Sequence, residues 1–345
     1  MKINPIENEK NRKGIITMIK KLFVTILPFS ILPFLFSFAT DPVKPNKKQV
    51  LKTIVIDAGH GLPNSNAEGK YSYESQLTLE IALKLSQRLK EVLPDCNILL
   101  TRTDENLPGG LKDKDVANRW RANFANDNHG DLFISIHVND LEPRYQRKIE
   151  GYRDENYTVT VGKGRKKRKV TKTRTVPIYK SYRIDCDRAG TETYIWAVNK
   201  YDQKQNAVGS RDDDEHFGEQ DSTTNYAESP DAKILASLRT KKYFDQSLAI
   251  ASFVEEEFKK VGRTSYGVKQ RNNAGIWVLQ ATNMPSILVE TGFICNGQEE
   301  DYLNSDKGQN EMSYAMMRAV LRYKQLVETG SGVIPEDSNK TVSIP

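Results

Sequence analysis

Two histidines and two glutamates, His60, Glu74, His137 and Glu290, stand in four short stretches that each bring a polar side chain to the rim of a buried element. Thr53 to Asp57 is an apolar run of strand length that gives way to Ala58-Gly59-His60-Gly61, so His60 lies just past a strand end. Leu132-Phe133-Ile134-Ser135-Ile136 repeats the pattern and delivers His137 at its end. Leu77, Leu79, Ile81, Ala82, Leu83, Leu85 and Leu89 form an apolar pattern at helical spacing, which places Glu74 at or near a helix start, where the helix dipole favours a carboxylate. Ser286-Ile287-Leu288-Val289 is a further apolar strand that ends on Glu290, a position where an unpartnered carboxylate is expensive to bury. Each residue alone has an ordinary structural reading. Together, His60, Glu74 and His137 form a three-ligand set with an open fourth position, and Glu290 supplies an acid-base group beside it. Imidazole and carboxylate donors favour zinc over calcium or magnesium. Such a site supports metal-assisted hydrolysis of an amide, with Glu290 carrying the proton.

Those side chains need elements to hold them. Strand-like runs at 53–57, 97–102, 132–137, 192–197, 275–280 and 286–290 alternate with helical patterns at 74–93, 113–126, 243–260 and 309–327. This order predicts an α/β sandwich around one mostly parallel or mixed sheet, whose strand ends border the crevice where ligands bind. No internal repeat and no second core is visible. The expected organisation is a leader over 1–39, a linker over 40–50, a catalytic domain over 51–327 carrying an insertion at 141–230, and an unstructured tail over 328–345.

The chain resembles the zinc-dependent N-acetylmuramoyl-L-alanine amidases that cleave bacterial peptidoglycan, over roughly residues 51 to 327 with a large insertion. The resemblance is carried by Ile56-Asp57-Ala58-Gly59-His60-Gly61, Glu74 ahead of Leu77 to Leu83, Leu100-Thr101-Arg102, and Arg121 with Ala125-Asn126. It continues through Ser135-Ile136-His137-Val138-Asn139, Gly190-Thr191-Glu192-Thr193-Tyr194, Gly267-Val268-Lys269, and Met284-Pro285 leading to Val289-Glu290-Thr291-Gly292-Phe293. It implies Zn2+ on His60, Glu74 and His137, Glu290 as general acid/base, and cleavage of the amide joining N-acetylmuramic acid to L-alanine of the stem peptide. One departure is Tyr266, where the family often has arginine; Lys269 or Arg271 would have to compensate. Some relatives cover the metal with an insertion that a partner withdraws, which makes an activator of the 141–230 segment an expected partner beside peptidoglycan. The acidic run Asp212-Asp213-Asp214-Glu215 would then supply a plug ligand. Another zinc peptidase acting within the stem peptide, or a non-catalytic wall-binding protein, remains an alternative.

Location and surface follow from charge. Lys20-Lys21 precede an uncharged apolar run from Leu22 to Ala39, then a polar stretch, which reads as a secretory signal or a short membrane anchor and hence a periplasmic protein. Met18 is an alternative start. No cysteine follows the run, which argues against a lipid anchor. The formal charge of +6 is local in origin. Residues 1–21 hold six basic and two acidic groups, and residues 163–174 hold eight basic and no acidic ones, so the remaining body carries −6. Tyr157 to Val161 and Val170 to Val176 flank Gly162 and Gly164 and predict a β-hairpin whose tip, Arg165-Lys166-Lys167-Arg168-Lys169, would contact an anionic surface or simply protect a strand edge. Nucleic acid is not an expected partner outside the cytoplasm. Three cysteines allow at most one bridge; Cys96 and Cys295 read as buried packing, Cys186 falls in the insertion, and no disulfide is expected.

Overall fold

The computed structural model describes residues 50–141, 144–209 and 230–333. Six strands form one sheet: β1 (Thr53–Ala58), β2 (Asn97–Leu100), β3 (Leu132–Asn139), β6 (Thr191–Ile195), β7 (Ser265–Gln270) and β8 (Ser286–Phe293), in the order β2-β1-β3-β8-β6-β7. All neighbours pair in parallel except β6 with β8, so the sheet is mixed and mostly parallel, as expected. The two remaining strands, β4 (Arg144–Val161) and β5 (Arg168–Ile184), form a separate two-stranded antiparallel ribbon.

Alternation along the strands sorts the sheet into two faces. Ile54, Ile56, Ile134, Ile136, Ile287 and Val289 point to a large core beneath three helices: α1 (Glu74–Val92), α4 (Pro230–Lys260) and α7 (Asp306–Thr329). In α1 the buried series Leu77, Ile81, Leu85 and Leu89 recurs every four residues, and each such side chain contributes about 1.5–3 kcal/mol on burial. The opposite face is thinner. Val55, Phe133 and Leu288 pack there against α2 (Lys114–Asp127) and the short α5 (Trp277–Ala281). The first turn of α2 is capped by Asp113, whose carboxylate accepts from the Asp115 and Val116 amides. Two further helices, α3 (Tyr201–Gly209) and α6 (Gly297–Asn304), complete the described elements.

Several expectations change. Residues 275–280 do not form a strand: Gly275 turns the chain with φ 70° and the apolar residues behind it enter α5. The sixth strand is instead β7, whose sequence Ser-Tyr-Gly-Val-Lys-Gln is too polar to read as a buried strand because it lies at the sheet edge. The helix expected at 243–260 begins at Pro230, and α7 runs through Thr329, two residues into the expected tail, before Gly330 ends it at φ 80°. The stretch 141–230 is not one insertion, since β6 within it is a central-sheet strand between β8 and β7. The acidic run from Asp212, with Glu215, and the leader over 1–39 lie outside the described residues. Among the described residues no helix is long and apolar enough to cross a membrane.

The cysteine expectation is overturned. Cys186 and Cys295 form a disulfide, while Cys96 is free. Spacing gave no hint because 109 residues separate the pair. Folding brings the segment after β5 alongside the end of β8, where the Cys186 amide donates to the Cys295 carbonyl at 3.0 Å and both residues pack on Phe293. Closing a loop of this size restricts the unfolded chain by an amount worth up to about 4–5 kcal/mol. Cys295→Ser, or reduction of the wild type, should therefore lower the thermal midpoint clearly, measured by calorimetry with and without reductant; equal midpoints would show that the bridge adds nothing.

Candidate metal centre

The site begins at the end of β1, where Asp57 is buried in the sheet's thinner face. Its carboxylate accepts from Thr101 Oγ1 and Ser135 Oγ, both at 2.6 Å, and forms an ion pair with the buried Arg121 of α2. Burial alone would raise the Asp57 pKa, but the Arg121 charge and the two hydroxyls hold it below the usual carboxylate value. Arg121 also donates to the carbonyls of Ala58 at 2.7 Å and His60 at 2.5 Å. Arg102 reaches the same segment from the other side and donates to the Ala58 and Gly59 carbonyls, both at 2.9 Å. Three successive carbonyls are thus held by guanidinium groups. The turn they fix puts His60 at φ 60°, an uncommon conformation for a residue with a side chain.

Gly59 has a different duty. A Cβ there would lie 2.6 Å from Cε1 and Nε2 of His137 and 2.8 Å from the Ile136 carbonyl. The missing side chain makes room for the His137 ring.

Glu74 is the first residue of α1 and almost fully buried. The loop that leads into it is held by Glu300, whose carboxylate accepts from the Lys70, Tyr71 and Ser72 amides. Glu74 Oε2 accepts from Asn66 Nδ2 at 2.7 Å, and its Oε1 points towards the two histidines. Three donor atoms therefore converge: His60 Nε2 and His137 Nδ1 lie 3.2 Å apart, and Glu74 Oε1 is 3.3 Å from the first and 2.9 Å from the second. Burial works to raise the Glu74 pKa, but hydrogen bonds from His137 and His60 drive it well below the carboxylate range. Burial lowers that of His137, which favours the neutral imidazole.

Glu290 of β8 stands directly opposite His137 of β3 in the parallel register and opposite Glu192 of β6 in the antiparallel one. All three belong to the thinner face: Glu290 lies two residues beyond Leu288, and His137 four beyond Phe133. Glu290 is buried, and its Oε2 has no hydrogen-bond partner. Its pKa is pushed well above the ordinary value by burial first and then by the charges of Glu74 and Glu192, against the pull of Arg271. Glu192 is itself saturated: Asn139 and Tyr194 donate to one oxygen, at 2.6 and 2.7 Å, and Lys269 and Arg188 pair with the other.

A cavity of about 400 Å³ opens over this cluster, lined by His60, Glu74, His137 and Glu290 together with Arg271 and Trp277. Of the two cations considered as substitutes at the Tyr266 position, Lys269 is committed to Glu192, whereas Arg271 faces the cavity. Tyr266 is stacked beneath the Arg188 guanidinium, 4.1 Å from its ring centre. Sequence reasoning missed Asn66 as the residue that fixes Glu74 and Trp277 as a cavity wall. Asn66 gave one faint signal, since asparagine is favoured at the left-handed φ of 61° it adopts.

The family model for N-acetylmuramoyl-L-alanine amidases matches residues 54–322. A putative N-acetylmuramoyl-L-alanine amidase of Buchnera aphidicola subsp. Baizongia pistaciae is 26% identical over 271 residues, 78% of this chain and 95% of the relative. The germination-specific N-acetylmuramoyl-L-alanine amidase of Bacillus subtilis is 33% identical over 126 residues, 34% of this chain and 52% of the relative. Among solved structures, the CwlD amidase from Clostridioides difficile in complex with the GerS lipoprotein is 19% identical with a TM-score of 0.47, covering 80% of this chain and 99% of that one. With a family match that spans most of its length, the chain belongs to the N-acetylmuramoyl-L-alanine amidases, enzymes of peptidoglycan hydrolysis.

Proposed function

We propose that this amidase hydrolyses the bond between N-acetylmuramic acid and L-alanine with a zinc ion held by His60 Nε2, His137 Nδ1 and Glu74 Oε1, and with Glu290 as general acid/base. The observation that carries the reading is the convergence of those three donor atoms beside a buried carboxylate oxygen that has no other partner. Donor separations of 2.9 to 3.3 Å suit the edges of a tetrahedron, which are about 3.3 Å for bonds of about 2.0–2.1 Å. Asn66 occupies the second oxygen of Glu74 and so favours a single bond from that carboxylate. When bound, zinc lowers the pKa of a water to about 7 and polarises the scissile carbonyl.

The protein's own groups carry the proton. Glu290 Oε2 accepts it from the attacking water and delivers it to the amide nitrogen of L-alanine as the C–N bond breaks, which completes the atom balance. Arg271, near Glu290, provides a positive charge for a stem-peptide carboxylate. Peptidoglycan lies outside the cytoplasmic membrane, in agreement with a secretory role for the apolar run after Lys20-Lys21. An activator that acts on the 141–230 segment would fit this reading.

Digestion of purified peptidoglycan should release stem peptides that begin with L-alanine. A chelator should abolish release and added zinc should restore it. Glu290→Ala should cut the rate by about 10²–10⁴-fold while retaining the metal. Release of D-alanine alone, detected by mass spectrometry, would assign the site to a carboxypeptidase instead. Gly59→Ala should weaken zinc retention by roughly 10–100-fold in a folded protein, measured by competition with a chromophoric chelator, because the added methyl displaces the His137 ring.

Glu290 also makes a stability prediction for the metal-free protein. Its folded pKa is raised above the ordinary 4.5, so above that value the folded protein holds a proton that the unfolded chain has released, and stability falls as pH rises through the window. Glu290→Gln should therefore match the wild type below about pH 4 and become progressively more stable than it above about pH 5. Denaturant titrations across this range check the sign; a constant difference would mean that Glu290 does not hold its proton.

A further inference from the structure

The β4–β5 ribbon takes no part in the metal centre. Its seventeen register pairs run from Arg144↔Ile184 to Val161↔Arg168, so it extends for about 55 Å at roughly 3.3 Å per residue. At its base Arg183 donates to the Glu68 carbonyl at 2.6 Å and pairs with Asp140 at 3.4 Å; the two strands' extensive packing is with each other. A lone two-stranded hairpin is marginally stable in water, and a second surface would stabilise it.

The distal half has two unlike faces. Pairing of Val159 with Val170 and of Tyr157 with Lys172 puts Val159, Val161, Val170, Val176 and Tyr157 on one side, interleaved with Arg153, Glu155, Arg168, Lys172 and Arg174; the four valines are only half-buried. The other side carries Thr158 opposite Thr171, Asn156 opposite Thr173 and Asp154 opposite Thr175. The tip turns through Gly162 and Gly164, at φ 102° and 58°, and every residue from Lys163 to Lys169 is exposed. No acidic residue occurs between Glu155 and Asp185, a segment that holds the eight cations of residues 163–174. Of these, Arg174 pairs with Glu155; the others have no carboxylate at this end of the ribbon.

We infer that the distal half of this ribbon is a membrane-docking arm, which lays its valine stripe into an anionic phospholipid surface while the tip cations bind the headgroup phosphates. Apolar insertion and a polybasic patch are each weak membrane signals that together give stable attachment. The two faces decide between partners. A polyanionic glycan would satisfy the cations and leave the stripe in water, whereas an anionic bilayer complements both. The consequence is an amidase held within reach of the membrane and free to work on the wall above it.

The test uses the full chain with vesicles of phosphatidylglycerol and phosphatidylcholine, compared with phosphatidylcholine alone. Wild type should bind the anionic vesicles far more strongly, and 0.5 M salt should suppress the difference. Replacing Arg165, Lys166, Lys167, Arg168 and Lys169 by glutamine should weaken anionic binding at least a hundredfold, since each cation near such a surface contributes roughly fivefold. Val159→Thr, Val161→Thr and Val170→Thr together should weaken it at least tenfold with the charge intact. Both variants should hydrolyse soluble wall fragments like the wild type, which also shows that they fold. Equal binding of wild type to both vesicles, or undiminished binding by the tip variant, would overturn the inference. A threonine variant that binds as well as wild type would reassign the arm to a polyanion. A wild-type dimer in light scattering, lost in either variant, would reassign it to a second copy. Should a variant misfold, the lipid and salt dependence of the wild type still decides.

Discussion

A carboxylate inside a β-sheet is tolerable only when its charge is matched, and Asp57 is matched by Arg121, Thr101 and Ser135 at once. The same guanidinium then holds the carbonyls of Ala58 and His60, and Arg102 holds those of Ala58 and Gly59. The His60 side of the candidate metal centre hangs on this arrangement. It keeps His60 in a left-handed conformation and aims its Nε2 at Glu74 and His137. It also binds β1, β2, β3 and α2 into one rigid frame, because Asp57, Thr101, Ser135 and Arg121 come from or beside those four elements. A ligand held to a few tenths of an ångström needs a frame of this kind, since a metal tolerates little error in donor position.

The division of the sheet into a thick and a thin side explains where the chemistry sits. Beneath α1, α4 and α7 the central strands β1, β3 and β8 present Ile54, Ile56, Ile134, Ile136, Ile287 and Val289. On the other side, Val55, Phe133 and Leu288 are apolar where α2 and α5 cover them, and the residues further along, Asp57, His137 and Glu290, are polar where the cover ends. Glu290 and Glu192 lie in one row with His137 because the register makes them neighbours across three strands. Burial first, and then this crowding of carboxylates, raises the Glu290 pKa. Glu192 beside it is paired with Lys269 and Arg188.

The ribbon stands apart from this frame in both structure and charge. The chain's net positive charge arises outside the catalytic body, in residues 1–21 and at the ribbon's tip, and the body itself is negative. Local pattern alone revealed the hairpin there, since threonine and valine around Gly162 and Gly164 favour such a turn. It did not reveal the length, because Tyr145 to Tyr152 and Tyr179 to Ile184 mix charges with aromatics in no regular alternation, and Glu150 sits at a register shift that breaks the period of two.

What could be read from the chain was whatever is written in local order. The apolar runs that end in His60, His137 and Glu290, and the helical spacing after Glu74, identified the fold class and pointed to four residues that the structure brings to one cavity, since strand ends and helix starts have short-range signatures. The edge strand β7 and the helix α5 were exchanged because a polar edge strand resembles a loop and an apolar pentapeptide resembles a strand. Asn66 as the partner of Glu74, the Cys186–Cys295 bridge, the pairing of Lys269 with Glu192 and the row of His137, Glu290 and Glu192 were beyond reach. Each depends on which distant segments lie side by side, and such proximity is fixed by strand order and packing across the whole domain, for which neighbouring residues carry no record.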